Sequence, residues 1–140
     1  MRKSEINTDF EIIFRGSFLH VLHTENYEIT PEGMVKLWLA LSEACQTYKC
    51  YKVLSEGRIY QRKLKGWDAY NSGSQAGEIR DLQMACLFYN YEPDETTEFF
   101  KTISANRGSQ IEFFTDKVEA LKWLGIDKGE KTANFTTLVK

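Results

Sequence analysis

Leu82-Gln83-Met84-Ala85-Cys86-Leu87-Phe88-Tyr89 is the stretch on which the fold turns. From Met84 onward it is apolar without alternation, and polar residues close it. A strand with one wet face alternates apolar and polar residues. An unbroken run of this length fits a central strand buried on both faces, the kind found in parallel sheets under crossover helices. The segments on either side must then supply those helices.

Downstream, Pro93-Asp94-Glu95 opens a helix with acidic residues at its positive end, carrying Phe99, Phe100 and Ile103 and stopping at Asn106-Arg107-Gly108. Ile111-Glu112-Phe113-Phe114 reads as a last core strand. Asp116 and Glu119 have capping-box spacing ahead of the stripe Val118, Leu121, Leu124, and Gly125 stops that helix. Upstream, Gly73 and Gly77 sit within a helix expected over Trp67 to Ile79, four residues apart, as a smooth face for close approach to the sheet. Lys52 to Ser55 is a short strand ended by Glu56-Gly57, and Arg58 to Lys65 reads as a polar, basic loop. Thr30-Pro31 is an N-cap followed by a first-turn proline. Met34, Leu37, Trp38, Leu41, Cys45 and Tyr48 then mark one face of a helix of about five turns. Phe10–Phe14 and Phe18–Thr24, broken at Arg15-Gly16-Ser17, form an opening hairpin. The order ββαβαβαβα predicts an α/β fold: a mainly parallel, mixed sheet of about five strands with about four helices. Residues 1–126 are expected to make one domain, and 127–140 a tail whose Phe135 to Val139 could form an edge strand or swapped arm.

This order is similar to that of STAS and SpoIIAA-like domains. Ala105-Asn106-Arg107-Gly108-Ser109-Gln110-Ile111-Glu112-Phe113-Phe114-Thr115-Asp116, running on into Val118-Glu119-Ala120-Leu121-Lys122-Trp123-Leu124, resembles the C-terminal half of many bacterial members. Val53-Leu54-Ser55-Glu56-Gly57-Arg58 resembles their third strand and following loop, where an Asp is more usual than Ser55. The resemblance spans roughly residues 10–126. It implies a regulatory or interaction role. Antagonist members carry a phosphorylatable residue in an Asp-Ser-(Ser/Thr)-Gly setting. Lys65-Gly66-Trp67-Asp68 and Ser72-Gly73-Ser74 do not match it, so no phosphoacceptor is carried over.

Composition bounds the rest. The 140 residues are 42% hydrophobic, 27% charged and 14% aromatic, with net charge −2 and pI near 5.7. A chain of this length buries roughly 68% of its unfolded surface and folds without staples. An acidic balance disfavours nucleic acid as partner. No run approaches the ~20 apolar residues of a membrane span. Polar residues follow Met1 with no signal-like stretch, so a cytoplasmic location is expected, with Cys45, Cys50 and Cys86 as reduced thiols.

No cofactor and no metal are expected. His20 and His23, three apart on a strand, point to opposite faces and do not converge with Cys45 and Cys50 on a metal. Cys45 and Cys86 read as buried small hydrophobes and Cys50 as a more exposed thiol. The carboxylate pairs Asp94/Glu95 and Asp116/Glu119 are explained by helix N-termini. No phosphate loop or nucleophile elbow is present, so the expectation is a protein that is not an enzyme. What stands out is a basic-aromatic segment in an acidic protein: Arg58, Tyr60, Arg62, Lys63, Lys65, Trp67 and Tyr70. Either its aromatics fold back on the core under a solvated loop, or it docks a protein partner or anionic ligand, for which Arg, Tyr and Trp are suited. The expectation is a protein-interaction module, with a homodimer as one form. The alternative is a small apolar or amphipathic ligand held beside Gly73 and Gly77.

Overall fold

The computed structural model describes residues 4–6, 10–23, 27–62, 66–90, 92 and 94–126. In chain order these form β1 (Ser4–Ile6), β2 (Phe10–Phe14), β3 (Leu19–His23), β4 (Tyr27–Ile29), α1 (Pro31–Tyr48), β5 (Lys52–Gly57), β6 (Ile59–Arg62), α2 (Gly66–Gly77), β7 (Gln83–Phe88), α3 (Glu95–Asn106), β8 (Gln110–Phe114) and α4 (Lys117–Leu124). The main sheet is ordered β1-β2-β3-β5-β7-β8. β1, β2 and β3 pair antiparallel, while β3, β5, β7 and β8 pair parallel. The protein is therefore α/β with a mixed sheet and four helices among the described residues, as the element order predicts.

Two expectations are corrected. The strand from Lys52 does not stop at Ser55 but runs on through Glu56 and Gly57, whose register partners on β7 are Leu87 and Phe88. The segment from Arg58 is not wholly a loop: β6 pairs in parallel with β4 as a separate two-stranded ribbon, Ile29 lying opposite Arg62. β1 also adds a sixth strand to the sheet. All three extra strands are short, and the β4–β6 pairing joins residues far apart in sequence, so no local pattern announces it.

β7 lies between β5 and β8 and is buried from Met84 through Phe88. Alternation along the strands separates two cores. Met84, Cys86 and Phe88 join Val53, Leu19 and Val21 beneath α1, α2 and α3, which contribute Leu37, Trp38, Leu41, Ala76 and Phe100, with Ile79 from the bend after α2. Ala85, Leu87 and Leu54 face the other way, against Ala120, Leu121 and Leu124 of α4, with Phe18 and Ile126. Three helices thus cover one face, and α4 covers part of the second.

The helix ends follow the sequence. The Thr30 hydroxyl accepts the Gly33 N–H at 3.1 Å with Pro31 behind it, and Asp116 accepts the Glu119 N–H at 3.2 Å. A reciprocal box sits at α3: Asp94 Oδ1 accepts the Thr97 N–H at 2.9 Å while Thr97 Oγ1 accepts the Asp94 N–H at 3.5 Å. The expectation for Gly73 and Gly77 is overturned. They open α2 toward α3 and not toward the sheet. A Cβ at Gly73 would lie 2.8 Å from Ile103 Cβ, and one at Gly77 2.5 Å from Arg107 Cβ. The space beside the two glycines is filled by α3.

Candidate functional site

Two places hold more polarity or more exposed apolar surface than folding alone needs. The first is on the α4 face of the sheet. His20 is wholly buried in β3 between Leu19 and Val21. The Arg15 guanidinium donates to its Nδ1 at 3.1 Å. A guanidinium only donates, so Nδ1 is the acceptor and the ring proton sits on Nε2. That proton is donated to Glu56 Oε1 at 2.7 Å. The other oxygen, Oε2, accepts the Tyr89 hydroxyl at 2.5 Å and lies 3.5 Å from Lys117 Nζ. Three side chains, His20 of β3, Tyr89 just after β7 and Lys117 at the start of α4, meet on the Glu56 carboxylate of β5, and Arg15 from the β2–β3 turn joins them through His20.

The electrostatics follow from this geometry. Burial lowers the His20 pKa, and the contacts with Glu56 oppose that only in part, so the ring is neutral. For Glu56, burial alone would raise the pKa. The hydrogen bonds from His20 and Tyr89 and the charge of Lys117 outweigh it and hold the carboxyl down to about 2. Burial and the Glu56 carboxylate together push the Tyr89 hydroxyl up. A carboxylate this fully engaged is a poor proton acceptor near neutrality. The cluster acts as a strut tying five segments together.

His23 lies on the opposite face, where its ring meets Phe88 and its Nε2 is 2.7 Å from the Ser55 hydroxyl. Burial lowers its pKa to about 3. The two imidazoles diverge across the sheet, as their spacing predicts, and among the described residues no group of three or more His, Cys, Asp or Glu is placed to hold a metal ion. Cys45 and Cys86 are buried, and Cys50 is half-buried. Burial pushes the thiols of Cys45 and Cys86 up to about 12.

The second place is a groove between α1 and α2. One hollow of about 270 Å³ is lined by Pro31, Met34, Val35, Asn71, Ser72 and Gln75 among others. A neighbouring one of about 350 Å³ shares Val35 and Gln75 and continues past Trp38, Leu39 and Ser42 to Glu78. Its floor is fixed by the Trp38 indole N–H, which donates to Ser72 Oγ at 2.9 Å. Leu39 is 69% exposed and Val35 41%. The helical stripe read from the sequence omits both, since they lie beside it and not on it.

Of the expected binding residues, Arg58 is exposed between β5 and β6. Tyr60 and Arg62 lie in β6, and Trp67 and Tyr70 in α2. Their side chains, and Lys63 and Lys65 altogether, lie outside the described residues, as do residues 127–140. The backbone nevertheless relates this segment to the groove. Arg62 pairs with Ile29, two residues before Pro31 at the groove's end, and Tyr70 precedes Asn71 on its wall. No described helix is long and apolar enough to cross a membrane. No family model, curated protein or solved structure matches the chain.

Proposed function

We propose that this chain is a non-enzymatic regulatory module of the STAS/SpoIIAA-like type that docks a protein partner across the α1–α2 groove and the adjoining Arg58–Tyr70 segment. The observation that carries the reading is Leu39, a large aliphatic side chain 69% exposed on the wall of a groove. Exposed apolar surface that is concave and polar-rimmed is what protein-docking sites present. The occupant is a partner segment with apolar residues for Val35 and Leu39. It also carries acidic residues for the four cations Arg58, Arg62, Lys63 and Lys65, which stand in a protein of net charge −2. The STAS-like assignment is supported by the hairpin followed by strands placed in sequence order. The interaction reading is supported by the engaged state of Glu56 and the high thiol pKa of Cys86, which suit packing better than chemistry. The ligand alternative loses its main motive, since Gly73 and Gly77 serve the contact with α3. A cytoplasmic setting and a homodimer remain part of the proposal.

A photo-crosslinking side chain placed at position 39, in cells of the native host, tests this. Discrete protein adducts are expected that are absent when the same group replaces exposed Glu119 on α4. They should be lost with Arg62→Glu/Lys63→Glu while the far-ultraviolet circular dichroism is unchanged. Equal adducts at both positions, or adducts indifferent to the charge reversal, would overturn it.

A further inference from the structure

The C-terminal turn of α1 places two of the three cysteines together. Lys49 is left-handed, φ 54 and ψ 45, and the Cys50 N–H donates to the Cys45 carbonyl at 3.1 Å. This closure across five residues is the helix-terminating arrangement in which the residue after the left-handed one packs on the residue four before it. Backbone bond lengths fix the consequence. From one Cα through the carbonyl, hydrogen bond and amide to the other is at most about 7 Å, and bond angles shorten it. The bond angles therefore bring the two Cα atoms from that upper bound toward the range of about 4.4–6.8 Å that a disulfide spans. Cys45 is part of the core beneath the helices, and Cys50 packs against that same core. Burial is the main cause of the raised Cys45 pKa, and the neighbouring Cys50 adds to it. Cys50 is the more accessible, its Sγ 3.7 Å from the carbonyls of Ser17 and Lys52.

We propose that Cys45 and Cys50 form an oxidisable dithiol that closes to an intramolecular disulfide when the protein meets a peroxide. The half-buried Cys50 thiolate attacks hydrogen peroxide, the O–O bond breaks, and hydroxide leaves with the proton released from Cys50 to make one water. The Cys45 sulfur attacks the resulting Cys50 sulfenic acid. The S–O bond breaks, and the oxygen departs as a second water with the Cys45 proton. Two thiols are oxidised by two electrons and one peroxide is reduced to two waters. The site shares no residue with the docking groove, whose α1 lining runs from Pro31 to Ser42.

The test treats the reduced, folded protein with hydrogen peroxide, then unfolds it, alkylates the remaining thiols and weighs it. Alkylation is expected to fall from three cysteines to one, Cys86. Trypsin cuts after Lys49, so a disulfide linking the peptide that ends there to Cys50-Tyr51-Lys52 should appear. With Cys50→Ser, which leaves the buried Cys45 in place, Cys45 and Cys86 should both stay alkylatable. Three alkylated thiols after treatment, Cys50 carried to sulfinic acid beside a free Cys45, or a Cys50–Cys50 link between two molecules would each overturn the proposal.

Discussion

At the residue scale, the two histidines govern how this fold responds to acid. Both are held neutral by burial, His23 with a pKa near 3 against its ordinary 6.5 and His20 lowered as well. The unfolded chain takes up protons near pH 6.5 while the folded one does not. His23 therefore leaves stability intact above pH 6.5 and erodes it as the pH falls below, by about 1.4 kcal/mol per pH unit, and His20 acts in the same direction. For His23 the erosion ends near pH 3. Glu56 acts lower down: its carboxyl falls from 4.5 to about 2, so its contribution is complete above pH 4.5 and is lost as the pH drops toward 2. Between pH 6.5 and 4.5 the histidines dominate. His23→Gln retains a group able to bond Ser55 and cannot titrate. At pH 7 it should be the less stable protein in urea. By pH 4.5 the gap should close by about 2 kcal/mol or reverse. A gap that stays constant across that range would show that His23 titrates normally in the fold.

At the element scale, α2 gives opposite answers at adjacent positions. Gly73→Ala gains about 1 kcal/mol of helix propensity but thrusts a methyl to 2.8 Å from Ile103 Cβ and 3.0 Å from the Phe100 carbonyl oxygen. Both are fixed parts of α3, so overpacking wins, and a net loss of about 1–2 kcal/mol is expected. Ser74 carries a buried hydroxyl without a hydrogen-bond partner among the described residues. Ser74→Ala should be neutral or stabilising by about 0.5–1 kcal/mol. Thermal unfolding of both variants reads the sign directly, and a stabilised Gly73→Ala would mean that α3 yields. The same helix marks the limit of what the sequence discloses. Its two glycines announce close packing, but only the fold says that the partner is α3 and not the sheet. α1 and β7 were legible because their signals are local: a cap, a proline and a stripe for one, an unbroken apolar run for the other. β6 was not, because its partner β4 lies thirty-odd residues away and both are short. The Glu56 cluster was hidden for the same reason, assembled from five segments. One clue was available, His20 inside Phe18-Leu19-His20-Val21-Leu22, since a polar ring in a buried strand needs a partner. The basic-aromatic segment is the reverse case: its composition stood out in the sequence, while the groove beside it depends on how α1 and α2 pack.

At the scale of the whole molecule, the two cores share a wall. β5 gives Val53 to one and Leu54 to the other, and β7 gives Met84 and Cys86 to one and Ala85 and Leu87 to the other. Peeling α4 away would expose Leu54 and Leu87 while the opposite core still held their strands. Each large aliphatic uncovered costs about 1.5–3 kcal/mol, and several together approach the 5–15 kcal/mol that typically separates folded from unfolded states. The cluster on Glu56 tightens the tie, since Lys117 of α4 and His20 of β3 meet on one carboxylate of β5. Neither core should therefore melt alone. The tryptophans report on them separately: Trp38 is buried in the larger core, and Trp123 packs at the smaller, its ring 5.7 Å from that of Phe114. Trp67→Phe/Trp123→Phe leaves Trp38 as reporter, and Trp38→Phe/Trp67→Phe leaves Trp123. Within each variant, the urea midpoint of fluorescence should coincide with that of far-ultraviolet circular dichroism, because each probe sees the same cooperative event. If Trp123 moved at lower urea than the circular dichroism, α4 would be a separately melting unit, and the shared strands would not couple the two faces.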